Sequence, residues 1–329
     1  MEVWTLLTKF NRHKKGKGFD LLPKVIVIVL NWNGKKNTFE CLQSLRHLDY
    51  PNYEIIVVDN ASTDGSQEFL RGNFPEITLI ENKRNLGFGG GFNVGVHEAA
   101  RRRADYVLCL NNDVVVDKNV LKELIKVGES NTKIGGLCPM EYYYDQPNRI
   151  NCAGGMIRFV HGKLLGHGEL DRGQYNKVRE TELLSGPAMM LKLNALLDVG
   201  LFDTSYFYGP EDKDIALRLI KKGYKLMFVP HAKVWHKRRG ATGGKISPLN
   251  IYFHVRNYLL FVKKHASKLE LFFSILYFSL FDFPLTFLRT LILGNKRDID
   301  AIIKGIIWHI DAKILPSDEE MVKILRSDW

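Results

Sequence analysis

The sequence predicts an α/β fold, a mostly parallel central sheet flanked by helices, followed by a helical appendage of different character. Three observations lead there. Four short runs, Val25 to Leu30, Glu54 to Val58, Ile77 to Ile80 and Tyr106 to Leu110, are rich in Val, Ile and Leu and lack the alternation of a half-exposed strand, as strands buried on both faces do. Stretches of helical character separate them, and strand, helix, strand in that rhythm implies parallel neighbours joined by crossover helices. Three of the runs end on polar clusters, Asn31-Trp32-Asn33-Gly34, Asp59-Asn60-Ala61-Ser62 and Asn111-Asn112-Asp113. Ligands of such sheets bind beyond the carboxyl ends of the strands, so the site is expected there.

Taken in order, residues 1–22 form a basic segment with Lys9, Arg12, Lys14, Lys15 and Lys17 around Trp4, Leu6, Leu7 and Phe10. That composition suits either an amphipathic foot on a membrane or a frayed basic tail. The first strand leads into a helix from about Thr38 to Leu48, the second into a helix from Ser66 to Arg71. The third precedes a glycine-rich turn, Asn85 to Asn93, that opens a helix from about Gly91 to Arg102. From Gly135 the pattern loosens, then tightens at Glu211 to Lys222, where Ile215, Leu217, Leu219 and Ile220 alternate with Lys and Arg on an amphipathic helix. Leu271 to Gly294 is apolar and aromatic, but Asp282, Pro284 and Arg289 interrupt it, leaving less than the roughly 20 residues that a spanning helix needs. Interfacial helices are expected there, with a buried hairpin in a soluble dimer as the alternative.

Composition narrows the function. With 329 residues, 45% hydrophobic and 25% charged, the chain has enough apolar content for a real core, and wholesale disorder is excluded. The four cysteines, Cys41, Cys109, Cys138 and Cys152, stand far apart with no zinc-like spacing, and no signal peptide is evident, so a reducing cytosolic address is the default. The net charge of +11 is concentrated: between Ile215 and Leu269 there are 13 Lys or Arg and no Asp or Glu. That stretch suits nucleic acid, a phosphorylated substrate or an anionic membrane. The acids at Glu211 to Asp214 directly before it argue against a continuous basic surface for nucleic acid.

Four places carry chemistry. Asp59 ends a buried strand, where its carboxylate either accepts hydrogen bonds from a nucleobase or ribose or caps the following turn. The glycines of Asn85 to Asn93 let backbone approach a diphosphate or sugar closely, although a dinucleotide fingerprint belongs after the first strand and not the third. Asp113 is placed to hold a divalent cation against a diphosphate, since hard cations take oxygen ligands and keep part of their shell for substrate phosphates; His236, after another short strand, is either a second ligand or a surface residue. Glu211, Asp212 and Asp214 crowd a first helical turn, which the helix dipole favours by itself and which also suits a general base for an acceptor hydroxyl.

Taken together and in order, VIVIVLNWNG from Val25, IIVVDNASTDGS from Ile55, NLGFGGGFNVG from Asn85, LNND from Leu110, SGPAMMLK from Ser185, FYGPEDKDIALRLIKKGYK from Phe207, VPHAKVWH from Val229 and YFHVRNYLLFVKKH from Tyr252 resemble family 2 glycosyltransferases of the GT-A fold, in their rhamnosyltransferase-like and galactofuranosyltransferase-like branch. The resemblance implies a divalent cation, Mg²⁺ or Mn²⁺, held by Asp113, His236 and Asn111, and a catalytic base at Asp212 with Glu211 beside it. It implies donor contacts from Asn31, Asp59, Asn60, Asn85, Gly87, Gly90, Asn93 and Asn112, and an acceptor side at Gly186 and Trp235. The family's metal motif is Asp-x-Asp, and here its first position is Asn111, whose neutral amide attracts an ion less. The implied reaction moves a sugar from a UDP-, dTDP- or GDP-linked donor, with inversion, onto a glycan or lipid-linked acceptor. The catalytic domain is expected over 23–245, with 23–115 binding the donor, and a helical region over 246–329 lying on an anionic membrane at the cytoplasmic face or forming a homodimer. An inactive scaffold of the same fold and a nucleotidyltransferase are the rival readings, and the phosphate loop that the latter requires after the first strand is missing.

Overall fold

The β-branched run of β1 (Val25–Asn31) lies at the middle of the molecule, with Val25 through Val29 fully buried. It pairs in parallel with β2 (Tyr53–Asp59), which pairs with β3 (Thr78–Glu81), and on its other side with β4 (Tyr106–Asn111). Helices α1 (Lys35–Leu45), α2 (Ser66–Asn73) and α3 (Gly87–Arg101) make the crossovers. Alternate side chains of β1 serve opposite layers: Val25, Val27 and Val29 pack with Cys41, Leu42 and Leu45, while Ile26 and Ile28 pack with Phe92, Val96 and Ala99. The register then brings the polar strand ends to one rim, with Asn31 opposite Asp59 and Leu30 opposite Asn111. The computed structural model describes residues 22–159, 163–237, 247–292, 296–311 and 317–326; the basic N-terminal segment before Leu22, and Arg238 and Arg239, lie outside the described residues.

The second half corrects the expectation of a mostly parallel sheet. After β5 (Val114–Val116) and α4 (Val120–Gly128) come β6 (Ile134–Tyr143), β7 (Gln146–Cys152), the short ribbon of β8 (Gly155–Met156) and β9 (Lys163–Leu164), and β10 (Arg179–Glu180). Strand β11 (Ala188–Lys192) inserts between β4 and β6, antiparallel to both. Past α5 (Leu193–Asp198) and α6 (Glu211–Lys221), β12 (Lys225–His236) pairs in parallel with β6 and antiparallel with β5 and β10. The sheet is therefore mixed, because β11 follows a long irregular excursion instead of a crossover helix and so returns in the opposite direction.

Helix α3 begins at Gly87, four residues before the expected start, so the glycine run is its first turns. It lies close against β1: a Cβ at Gly95 would sit 2.5 Å from Ile28 Cγ2. The C-terminal helices are α7 (Pro248–His265), α8 (Lys268–Tyr277), α9 (Phe283–Ile292), α10 (Lys296–Ile307) and α11 (Asp318–Arg326). Leu249, Ile251, Tyr252 and Phe253 of α7 pack with Ala301, Ile302, Met321 and Val322, and Leu260 and Phe261 enter the main core. Arg256, within the basic stretch, is buried at 1% exposure, whereas the later cations of that stretch, Lys263, Lys264 and Lys268, face solvent. No helix of the described residues is long and apolar enough to cross a membrane.

Gly95→Ala tests the close packing of α3. Alanine is the better helix former by about 1 kcal/mol, yet overpacking against Ile28 in the middle of a buried strand outweighs that gain, so a net loss of about 1–3 kcal/mol is expected in chemical denaturation. A raised midpoint would contradict the packing.

Candidate active site

Three asparagines and an aspartate weave the strand ends into a rigid rim. Asn31 is fully buried and its amide is fully used: Nδ2 donates to Asp59 Oδ2 (2.7 Å) and Ser62 Oγ (3.2 Å), while Oδ1 accepts from Thr38 Oγ1 (2.7 Å) and Asn112 Nδ2 (2.9 Å). Asp59, also fully buried, accepts through Oδ1 from the Ser62 amide and Gln67 Nε2, both at 2.8 Å. The turn-capping reading of Asp59 is the one its geometry satisfies, and Asn31 and Asp59 form the buried part of the rim and are not among the residues that line the cleft. Asn60 donates to the Gly87 carbonyl (2.9 Å) and accepts from Asn82 (2.8 Å), joining the second strand end to the start of α3.

Beyond the rim lies a cleft of about 370 Å³ whose polar wall includes Asn60, Asn85, Gly87, Asn111, Asn112, Asp113 and His236. Seven of the expected site residues thus meet there. Asn93 and Gly90 do not: the Asn93 amide brackets the Phe202 backbone (2.9 and 3.0 Å), and Gly90 faces Leu86 and Thr204. Trp235 is also turned away, as alternation along β12 requires of the neighbour of His236; it stacks on Tyr142 and donates to the Pro147 carbonyl at 3.3 Å. The opposite wall is apolar, formed by Trp32, Phe207, Phe253, Leu249 and Val322.

At the polar end, His236 Nε2 faces Asp113 Oδ1 at 3.3 Å and Nδ1 faces Glu141 Oε1 at 2.9 Å. Burial would lower the imidazole, but hydrogen bonds to the two carboxylates outweigh it and raise the ring to about 10. Glu141 is 1% exposed and also accepts from Ser185 and Asn151; burial pulls it up, and the histidine and these donors bring it below the usual carboxylate range. A carboxylate fixing one nitrogen of a histidine whose other nitrogen meets a second carboxylate is an arrangement suited to a metal ligand. Asn111 lines the same cleft. No cluster of three His, Cys, Asp or Glu ligands occurs among the described residues, so the donor set fits an ion that takes two protein ligands and an amide and completes its shell with phosphate oxygens. Lys237, the next residue after His236, is held by Glu40 and Asn37 of α1.

The peptide Ser185-Gly186 joins this end to the acids of α6. Ser185 Oγ donates to Glu141, and Gly186 packs against Asp212, whose Oδ2 lies 3.2 Å from where a Gly186 Cβ would be. Burial raises the half-buried Asp212 carboxyl, offset in part by Lys213 and by the amides of Lys213 and Gly186. Glu211 is 1% exposed; Oε2 accepts from the Gly209 amide at 2.7 Å, and Oε1 has no partner. Burial, with the charges of Asp212 and Asp214 adding to it, pushes Glu211 up to about 8. The third acid, Asp214, is structural, paired with Arg218 (2.6 Å) and His265 (2.7 Å).

Sequence reasoning missed Glu141 and the apolar wall. Glu141 had a signal: a lone acid in the otherwise apolar run of β6 is rarely buried without a partner. The wall residues Leu249, Phe253 and Val322 come from a region read as an appendage, and nothing local to them marks a cleft.

The fold and this constellation define a nucleotide-sugar transferase of GT-A type. Two family models match, glycosyl transferase family 2 over residues 25–184 and glycosyl transferase family group 2 over residues 106–293, the latter more than half of the chain. The chain belongs to the family 2 glycosyltransferases and is a glycosyltransferase enzyme. It is 23% identical over 266 residues to an N-acetylglucosaminyl-diphospho-decaprenol L-rhamnosyltransferase of Mycobacterium tuberculosis, covering 75% of this chain and 86% of that protein. It is 24% identical over 230 residues to a poly-beta-1,6-N-acetyl-D-glucosamine synthase of Staphylococcus aureus, covering 68% of this chain and about half, 52%, of the synthase. Among solved structures it is similar to the mannosyltransferase PcManGT of Pyrobaculum calidifontis in complex with GDP-Man and Mn²⁺ (TM-score 0.54, 16% identity, 98% of this chain and 85% of that one). It is also similar to residues 1–349 of S. aureus TarS in complex with UDP-GlcNAc (TM-score 0.55, 18% identity, 88% and 83%).

Glu211 gives a pH test. A carboxyl held above its unfolded value binds more protons folded than unfolded, so its contribution to stability falls as pH rises from the unfolded carboxylate range through about 8. Glu211→Gln is therefore expected to be more stable than wild type at pH 8, with the difference shrinking toward pH 5. A difference that does not change with pH in thermal melts would overturn the assignment.

Proposed function

We propose that the enzyme transfers a sugar, with inversion, from a UDP-, dTDP- or GDP-linked donor to a hydroxyl of a lipid-linked glycan at the cytoplasmic face of the cell membrane. The observation that carries this is the path of hydrogen bonds from Asp113 through His236 and Glu141 to Ser185, continued by the packing of Gly186 against Asp212. It couples the end of the cleft suited to a diphosphate to the carboxylate suited to an acceptor proton.

Asp113, His236 and Asn111 would hold a divalent cation, Mg²⁺ or Mn²⁺, which when bound supplies charge neutralisation to the leaving diphosphate. His236 must give up its proton to serve as a ligand, and Glu141 on Nδ1 keeps the ring oriented while it does so. Asn60, Asn85 and Asn112 offer neutral donors and acceptors along the donor path. Asp212, its basicity raised by burial, takes the acceptor proton as the oxygen attacks the anomeric carbon from the face opposite the diphosphate, which inverts the centre. The apolar wall of the cleft favours an acceptor with an apolar carrier; the mycobacterial relative is named for a decaprenol-linked one. Helices α8 and α9 and the turn between them expose Leu269, Phe272, Phe273, Leu280, Phe281 and Leu285, with the solvent-facing Lys263 and Lys268 beside them. That composition favours lying in an anionic bilayer interface over solvent, with a homodimer through the same face as the competing occupant.

Donor hydrolysis across UDP-, dTDP- and GDP-sugars, with Mg²⁺, Mn²⁺ or chelator, tests the chemistry. One donor is expected to turn over with metal only, Asp113→Ala to abolish turnover, and Asp212→Asn to lower it about 10²–10⁴-fold; a product of retained configuration by anomeric NMR would sink inversion. For the membrane reading, co-sedimentation with phosphatidylglycerol-rich vesicles is expected for wild type and lost in a Phe272→Glu, Phe281→Glu variant. Vesicle binding unaffected by those changes, or a dimer that they dissociate, would remove it.

A further inference from the structure

The segment Ser205 to Gly209, which leads into Glu211 and Asp212 of α6, is irregular beyond the single 3-10 turn of Thr204–Tyr206. Phe207 holds a left-handed backbone (φ 60°) and Gly209 a φ of 151°, conformations that persist only where surroundings enforce them. On one side the Phe207 carbonyl accepts from the Phe88 amide at 2.7 Å. On the other, two neighbouring residues of α7 take the remaining carbonyls. Arg256 donates to the carbonyls of Ser205 (2.7 Å) and Tyr206 (3.0 Å), and Asn257 to those of Tyr206 (2.9 Å) and Tyr208 (2.6 Å). The Arg256 guanidinium lies 4.3 Å from the Trp308 ring centre and pairs with Asp318 of α11 at 3.0 Å.

A buried cation is expensive, and an apolar residue of similar volume often serves stability as well or better. Of the four hydrogen bonds that Arg256 donates, two go to the backbone of the segment that leads to the acids, one to Asn257 Oδ1 and one to Asp318, which is the geometry of a brace. We propose that Arg256 and Asn257 are positioning residues that fix Asp212 and Glu211 for transfer by holding the Ser205 to Gly209 backbone from the C-terminal helices. The inference rests on Asp212 being the base. It makes the C-terminal region part of the catalytic machinery irrespective of what its apolar face binds.

The test uses the full chain as Arg256→Lys, Asn257→Ala and Asp318→Asn, the last removing the ion pair while leaving the carbonyl hydrogen bonds. Amide hydrogen exchange over residues 206–213 is expected to quicken about tenfold or more in the first two variants and not in Asp318→Asn, with exchange in β1 and β4 unchanged. Turnover of whichever of UDP-N-acetylglucosamine, dTDP-rhamnose or GDP-mannose is hydrolysed is expected to fall about 10- to 100-fold in kcat, with donor KM within about threefold. Unchanged local exchange, exchange raised evenly through the protein, or looser exchange with unaltered kcat would each overturn the proposal. So would an Asp318→Asn variant of equal lost thermal stability that loses as much kcat. Full activity in Asp212→Asn would instead remove the base assignment, and the exchange experiment would still report on the brace.

Discussion

A histidine held between two buried carboxylates is the interaction on which the site depends. His236 ends β12, Asp113 follows β4 and Glu141 lies in β6, so three strands must stop at matching heights for the ring to meet both acids. Separately, each group would be costly to bury; together, the imidazolium and the hydrogen bonds of Ser185 and Asn151 offset the desolvation. The antiparallel entry of β11 completes this, because it carries in the Ser185-Gly186 peptide that touches Glu141 on one side and Asp212 on the other.

The rim of asparagines does a different task. Asn31, Asn60 and Asn112 can each donate and accept, and a neutral amide can tie neighbouring strand ends together without adding charge beside a diphosphate. Asn111, where the family pattern has an acid, lies in the same cleft wall. The intact pairing of Asp113 with His236 and Glu141 argues for retained chemistry over an inert scaffold, since a site with no ion or phosphate to hold has no need of so expensive a buried constellation.

The C-terminal helices close the cleft and brace its base-bearing segment. Helices α8 and α9 and the residues between them present exposed Phe272, Phe281 and Leu285, while α7 and α11 place Phe253, Leu249 and Val322 against the cleft. Arg256, chemically identical to the surface cations around it in sequence, differs from them in facing inward, and only packing distinguishes the two.

The sequence by itself determined the first four strands, the crossover helices between them and the polar clusters at the strand ends, because continuous apolar runs and their polar stops are local properties of the chain. It also named Asp113, His236 and Asp212, since a motif in order needs no coordinates. What only the tertiary structure decided are the relations between segments distant in the chain. These include the direction of β11, the burial of Asn31 and Asp59 within the rim, the contacts of Glu141 and the inward turn of Arg256. Residue type sets what a group can do; which neighbours it meets 50 or 100 residues away is set by how the layers close over one another, and the desolvation and hydrogen bonding that fix its function follow from that closure.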